Sequence, residues 1–119
     1  MAKKILVVDD DPVELRLLQS RLAANAYEVV LAHDGFEGLE TLKKEGIDLI
    51  ILDVEMPVMN GYTFLLEMKK IEAFKHIPVI VLTAHEENRP IFNRRGILNY
   101  MVKPMNFEKL LALISSLTA

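Results

Sequence analysis

Four short aliphatic runs punctuate this chain: Ile5 to Val8, Val29 to Ala32, Leu49 to Leu52 and Val79 to Leu82. Each is too short for a helix and apolar at every position rather than at alternate ones, the pattern of strands covered on both faces. Between and after them, apolar residues recur at three- and four-residue spacing: Leu15, Leu18 and Leu22, then Phe36, Leu39 and Leu42, then Phe107, Leu110, Leu111, Ile114 and Leu117. Such spacing lines one face of a helix. With a weaker fifth strand over Tyr100 to Val102, strand and helix alternate about five times. That alternation predicts a five-stranded, doubly wound α/β domain with a parallel sheet and helices on both faces.

Punctuation agrees with these boundaries. Asp11-Pro12 reads as helix cap and first helical residue, Asp34-Gly35 and Gly46 as turns, Asn60-Gly61 as the loop into a third helix, and Pro78 as the entry to the fourth strand. A length of 119 residues suits one domain over 1–119, with the final helix running to Ala119. Hydrophobic residues at 51% and charged residues at 26% are a globular composition, which excludes a disordered chain. Fourteen basic against 17 acidic residues leave a net charge of -3, so charge promises neither nucleic acid nor an anionic membrane as partner. The lack of cysteine excludes disulfides, thiolate nucleophiles and cysteine-ligated metals, and fits a reducing compartment. Met-Ala-Lys-Lys followed by Ile5 to Val8 is too short for a signal peptide or membrane span, and a cytoplasmic location is expected.

In open α/β sheets ligands collect beyond the carboxyl ends of the strands. Those positions are polar here: Asp9, Asp10 and Asp11 after the first run, Asp53 and Glu55 after the third, Thr83 and His85 after the fourth, Lys103 and Pro104 after the fifth. Taken singly, each has a structural explanation as a cap, a loop residue, a strand end or a solvated charge. Together they suggest a site. Carboxylates held close raise each other's pKa unless a cation shares the space, and an all-oxygen donor set suits Mg²⁺ or Mn²⁺. A carboxylate is ordinarily ionised at neutral pH and attacks phosphorus without a general base, giving an acyl phosphate. The metal, Lys103 and the Thr83 hydroxyl would neutralise the transferring group.

The motifs I-L-V-V-D-D-D-P, L-I-I-L-D-V-E-M-P-V-M-N-G, V-I-V-L-T-A and Y-M-V-K-P, in this order and spacing, resemble the receiver domain of bacterial two-component response regulators over essentially the whole chain. The resemblance implies strand order 2-1-3-4-5 in a flavodoxin-like (βα)5 fold and a phosphorelay role. It makes Asp53 the phosphoacceptor, with Asp9, Asp10, Asp53 and the backbone carbonyl of Glu55 holding Mg²⁺. Lys103, joined to Pro104 by a cis bond, would pair with the phosphoryl oxygens, and Thr83 would turn its hydroxyl towards them. Tyr100 matches the switch aromatic: in the family, movement of the Thr lets this ring turn inward and reshapes the surface of helix four, strand five and helix five, while Ala84 leaves room for that movement. Glu55 and His85 stand where the family tunes hydrolysis of the acyl phosphate. The implied partners are a sensor histidine kinase or histidine phosphotransfer protein and an output protein or domain, with the chain a monomer or a dimer on activation.

Some positions depart from the family's commonest pattern. Asn60 replaces a frequent Asp, and Glu86 to Ile97 carries Pro90, Arg94-Arg95 and Gly96, so helix four is expected to be short or irregular. Leu15, Leu18 and Leu22 offer a kinase-docking face if exposed and a packing face if buried. His33, His76 and His85 lack the spacing of a zinc pair, and the Met residues read as core and loop filler. Three other readings are open to the same residues. A pseudo-receiver would dock without phosphotransfer, but Asp9, Asp10, Asp53, Thr83 and Lys103 are all intact. An aspartate-nucleophile phosphatase of the haloacid dehalogenase type would need a cap for which the chain has no room. A flavodoxin-like carrier would hold an FMN phosphate where Asp9 to Asp11 repel it.

Overall fold

Each aliphatic run is a strand in the structure, a computed structural model that describes residues 2–53, 61–84, 87, 89–94, 96, 99–104 and 106–119. The strands are β1 (Lys4–Val8), β2 (Glu28–Ala32), β3 (Leu49–Asp53), β4 (Val79–Thr83) and β5 (Asn99–Val102). The helices are α1 (Pro12–Ala24), α2 (Gly35–Lys44), α3 (Gly61–Lys69), α4 (Arg89–Arg94) and α5 (Phe107–Thr118). All pairings are parallel and the order is β2-β1-β3-β4-β5, the topology that the resemblance implies.

Because successive side chains of a strand point to opposite faces, an aliphatic run feeds two cores at once. Leu6 and Val8 of β1, Ile50 and Leu52 of β3, and Val79 and Val81 of β4 join Leu42 of α2 and Phe64, Leu65 and Met68 of α3 on one face. Their neighbours Ile5, Val7, Leu49, Ile51, Ile80 and Leu82 join Leu15, Leu18 and Leu22 of α1 and Leu110 and Ile114 of α5 on the other. β3 and β4 are buried throughout, whereas Val29, Val30 and Leu31 of β2 are only partly buried, because β2 is the edge of the sheet.

The helix starts follow from local chemistry. Asp11 caps α1 by accepting from the Val13 N–H at 2.9 Å, with Pro12 in its first turn. Asp34 caps α2 through the Glu37 N–H at 2.8 Å, so Asp34-Gly35 is a helix start rather than a free turn. Asn106 caps α5 through the Lys109 N–H at 3.1 Å. Among the described residues α4 spans Arg89–Arg94, with Pro90 near the start of that span. Asn60 lies outside the described residues, and Gly61 opens α3.

One apolar position behaves differently from its spacing. Phe36 is 59% exposed and adds little to the core, because it sits in the first turn of α2 while Gly35, Gly38 and Leu42 take the buried face. Leu15, Leu18 and Leu22 are fully packed, so the docking face suggested for them is not available; Val13 and Leu17 are the large apolar residues of α1 that are exposed.

Candidate functional site

Parallel register brings the polar strand ends to one edge. Val8 pairs with Leu52, which sets Asp9 level with Asp53, and Asp53 pairs with Leu82, which sets Thr83 one step further. Thr83 pairs with Val102, and its carbonyl accepts from the Lys103 N–H at 2.7 Å, carrying Lys103 to the same edge. The Lys103–Pro104 peptide is cis. Asp9, Asp10, Asp11, Glu14, Asp53, Ala84 and Lys103 line a shallow cavity of about 260 Å³.

Burial across this cavity is uneven. Asp9 and Asp53 are buried at 2% and 8% exposure, whereas the neighbouring Asp10 is exposed. Carboxylate oxygens of Asp9, Asp10 and Asp53 all lie within 4.8 Å of one another, a hard oxygen donor set that fits a divalent cation such as Mg²⁺. The Lys103 Nζ lies 2.9 Å from Glu14 Oε2, 3.6 Å from Asp53 Oδ2 and 3.8 Å from Asp9 Oδ2. Burial pushes the Asp9 carboxyl up to about 8; the Asp11 N–H, which donates to Asp9 Oδ1 at 3.0 Å, opposes the rise, and the charges of Asp53 and Glu14 add to it. Partial burial would lower the Lys103 ammonium, yet its hydrogen bond to Glu14 and the charges of Asp53 and Asp9 outweigh that and hold it above its ordinary value. A cation within this cavity would favour the ionised form of the Asp9 carboxyl.

The positions expected from the sequence therefore meet: Asp9, Asp10, Asp53 and Lys103 share the cavity, and Thr83, fully buried, ends the strand beside it. Tyr100, at 6% exposure, has its ring inward in the core, with the Arg89 guanidinium 4.8 Å from the ring centroid. Glu55 and His85 lie outside the described residues. Glu14 was not among the expected positions, although it is the shortest ion-pair partner of Lys103. The available signal was its place in the first turn of the helix that follows the acidic triplet, at the same sheet edge.

Among the described residues no helix is long and apolar enough to cross a membrane. Residues 5–115 match the family model of the response regulator receiver domain. The transcriptional regulatory protein GlrR of Escherichia coli K12 is 38% identical over 108 residues, covering 89% of this chain and 24% of that protein. The response regulator PleD of Caulobacter vibrioides is 37% identical over 120 residues, covering 99% of this chain and 26% of that protein. The chain thus spans about a quarter of the length of these curated relatives. Among solved structures, the response regulator TrrA of Thermotoga maritima in complex with Mg²⁺-BeF superposes with a TM-score of 0.87 at 36% identity, covering 97% of this chain and 98% of that one. The chemotaxis protein CheY4 of Vibrio cholerae superposes with a TM-score of 0.88 at 31% identity, covering 98% of this chain and 99% of that one.

Proposed function

This chain belongs to the response regulator receiver domain family of two-component systems, and from that premise we propose that it accepts a phosphoryl group on Asp53 from a sensor histidine kinase or histidine phosphotransfer protein in the cytoplasm. The observation that carries the reading is the cavity at the sheet edge, where the Asp53 carboxylate lies 3.6 Å from the Lys103 Nζ and within 4.8 Å of oxygens of Asp9 and Asp10.

In the transfer, a carboxylate oxygen of Asp53 bonds to phosphorus as the phosphorus–nitrogen bond to the donor imidazole breaks. The electron pair leaves with that nitrogen, and the product is an acyl phosphate. Lys103 pairs with the phosphoryl oxygens, and the Thr83 hydroxyl donates to them from the end of β4. Asp9, Asp10, Asp53 and the Glu55 backbone carbonyl are the residues to hold Mg²⁺ or Mn²⁺, which when bound supplies positive charge against the phosphoryl oxygens. That the TrrA relative is found in complex with Mg²⁺-BeF supports a metal in this family's site. Glu55 and His85 are the positions proposed to tune hydrolysis. The state of Asp53 reaches the surface through Thr83 and Tyr100, so that phosphorylation biases a two-state equilibrium read by an output protein or domain at α4, β5 and α5.

Intact mass after incubation with acetyl phosphate, in Mg²⁺ or in EDTA, tests the reading on the wild type and on Asp53→Asn. One metal-dependent phosphoryl adduct, absent from the variant, is the expected result. An adduct that persists in Asp53→Asn overturns the assignment of the nucleophile, and a wild type that neither gains an adduct nor binds beryllofluoride is a docking module instead.

A further inference from the structure

Glu14 is an acid in the first turn of a helix, where a carboxylate ordinarily needs no explanation beyond the helix dipole. Its contact here is different. The carboxylate reaches a residue 89 positions away, and its 2.9 Å hydrogen bond to the Lys103 Nζ is shorter than the approach of that nitrogen to Asp53 at 3.6 Å or to Asp9 at 3.8 Å. Both side chains are largely shielded, at 25% and 20% exposure, and both line the cavity that holds Asp53. Glu14 lies outside the three-carboxylate cluster; its hydrogen bond in the cavity is to Lys103, and its charge also reaches Asp9.

We infer that Glu14 is a positioning residue, which holds the Lys103 ammonium on the α1 side of the cavity and makes a phosphoryl group on Asp53 compete for that cation. The inference rests on the receiver reading of Asp53 and Lys103. An ammonium has three donors, but its position on the stem is a compromise among its acceptors. A bond to the phosphoryl oxygens therefore forms at the expense of the bond to Glu14. Glu14 weakens the hold on the phosphoryl group through Lys103, and its neutral isostere should strengthen that hold.

The test is the affinity for beryllofluoride, a phosphoryl mimic, in saturating Mg²⁺, followed by ¹⁹F resonance on the wild type, Glu14→Gln, Lys103→Ala and the double variant. Glu14→Gln should bind about three- to fivefold more tightly than the wild type, the scale of one partly exposed ion pair. In the Lys103→Ala background the same substitution should tighten binding far less. Equal tightening in both backgrounds would mean that Glu14 acts only as a distant charge and would overturn the inference, as would a Glu14→Gln that binds like the wild type. Should Lys103→Ala bind too weakly to titrate, Glu14→Asp decides, because it keeps the charge but withdraws the carboxylate by one methylene: tightening supports the inference and wild-type affinity overturns it. A wild type that binds no beryllofluoride defeats the receiver reading itself, a separate outcome.

Discussion

Asp9 and Asp10 are adjacent and chemically identical, yet one is 2% exposed and the other open to solvent. Asp9 continues the line of β1, with its N–H bonded to the Ala32 carbonyl at 3.1 Å, so its carboxyl is caught between the sheet and Asp53. The consequence is a pH dependence. The folded Asp9 carboxyl sits at about 8 against an ordinary 3.8, chiefly through burial, so between those values the folded protein keeps a proton that the unfolded chain has released. Stability from this group therefore falls as pH rises through that window. In EDTA, Asp9→Asn should be more stable than the wild type by about 2 kcal/mol at pH 8 and above, with the gap closing towards pH 4. Denaturant melts at several pH values check this, and a gap that does not change with pH would show that burial of Asp9 costs little. Excess Mg²⁺ should shrink the gap from the wild-type side. That carboxylates gather at this sheet edge was legible from the residues after β1 and β3 together, but which aspartate is most buried was not, because that depends on where β1 ends against its neighbours.

Elements were legible where one chain segment settles its own burial, and less so where two segments meet. β3 and β4 could be read from their aliphatic runs because the runs supply both faces of the sheet. Phe36 could not be placed, since its exposure depends on α2 resting on Gly38 instead. A Cβ at Gly38 would lie 3.0 Å from a Phe64 ring carbon and 3.2 Å from a Val8 methyl, both belonging to fully buried residues with nowhere to move. Gly38→Ala should thus lose roughly 1–2 kcal/mol, overpacking exceeding a helix-propensity gain of about 1 kcal/mol. At Gly46 an added Cβ meets nothing within 4 Å and the backbone is not left-handed, so Gly46→Ala should gain roughly 0.5 kcal/mol by restricting the unfolded chain. Urea midpoints that move in opposite directions would bear out the pair, and a stabilised Gly38→Ala would mean that α2 can lift from α3. Ala26, just past α1, is the converse case, with φ at 68° in the left-handed region. Relief of about 1 kcal/mol of strain outweighs the added freedom of the unfolded chain, and Ala26→Gly should raise the midpoint slightly.

At the scale of the whole molecule, two aliphatic cores flank one sheet, and the charged cavity occupies the edge that neither core covers. The cores carry the stability of the fold, which leaves the edge free to hold carboxylates and an ammonium in an arrangement that does not favour folding by itself. The topology was legible because alternating strands and helices admit few arrangements. The contact between α1 and the segment after β5 was not, because Glu14 and Lys103 meet only once the sheet has closed the distance between them. Ligands that neutralise this edge bind the folded state alone and must stabilise it by mass action. Beryllofluoride with Mg²⁺, each at about a hundred times its dissociation constant, should raise the thermal midpoint by about 20 °C, from a linkage of about 2.7 kcal/mol for each ligand and a slope of about 4 °C per kcal/mol for a domain of this size. Mg²⁺ alone should raise it less, EDTA should abolish both shifts, and Asp53→Ala should lose the beryllofluoride increment. If Asp53→Ala kept that increment, the ligand would be acting elsewhere on the molecule, and the coupling between the cavity and the stability of the fold would have to be given up.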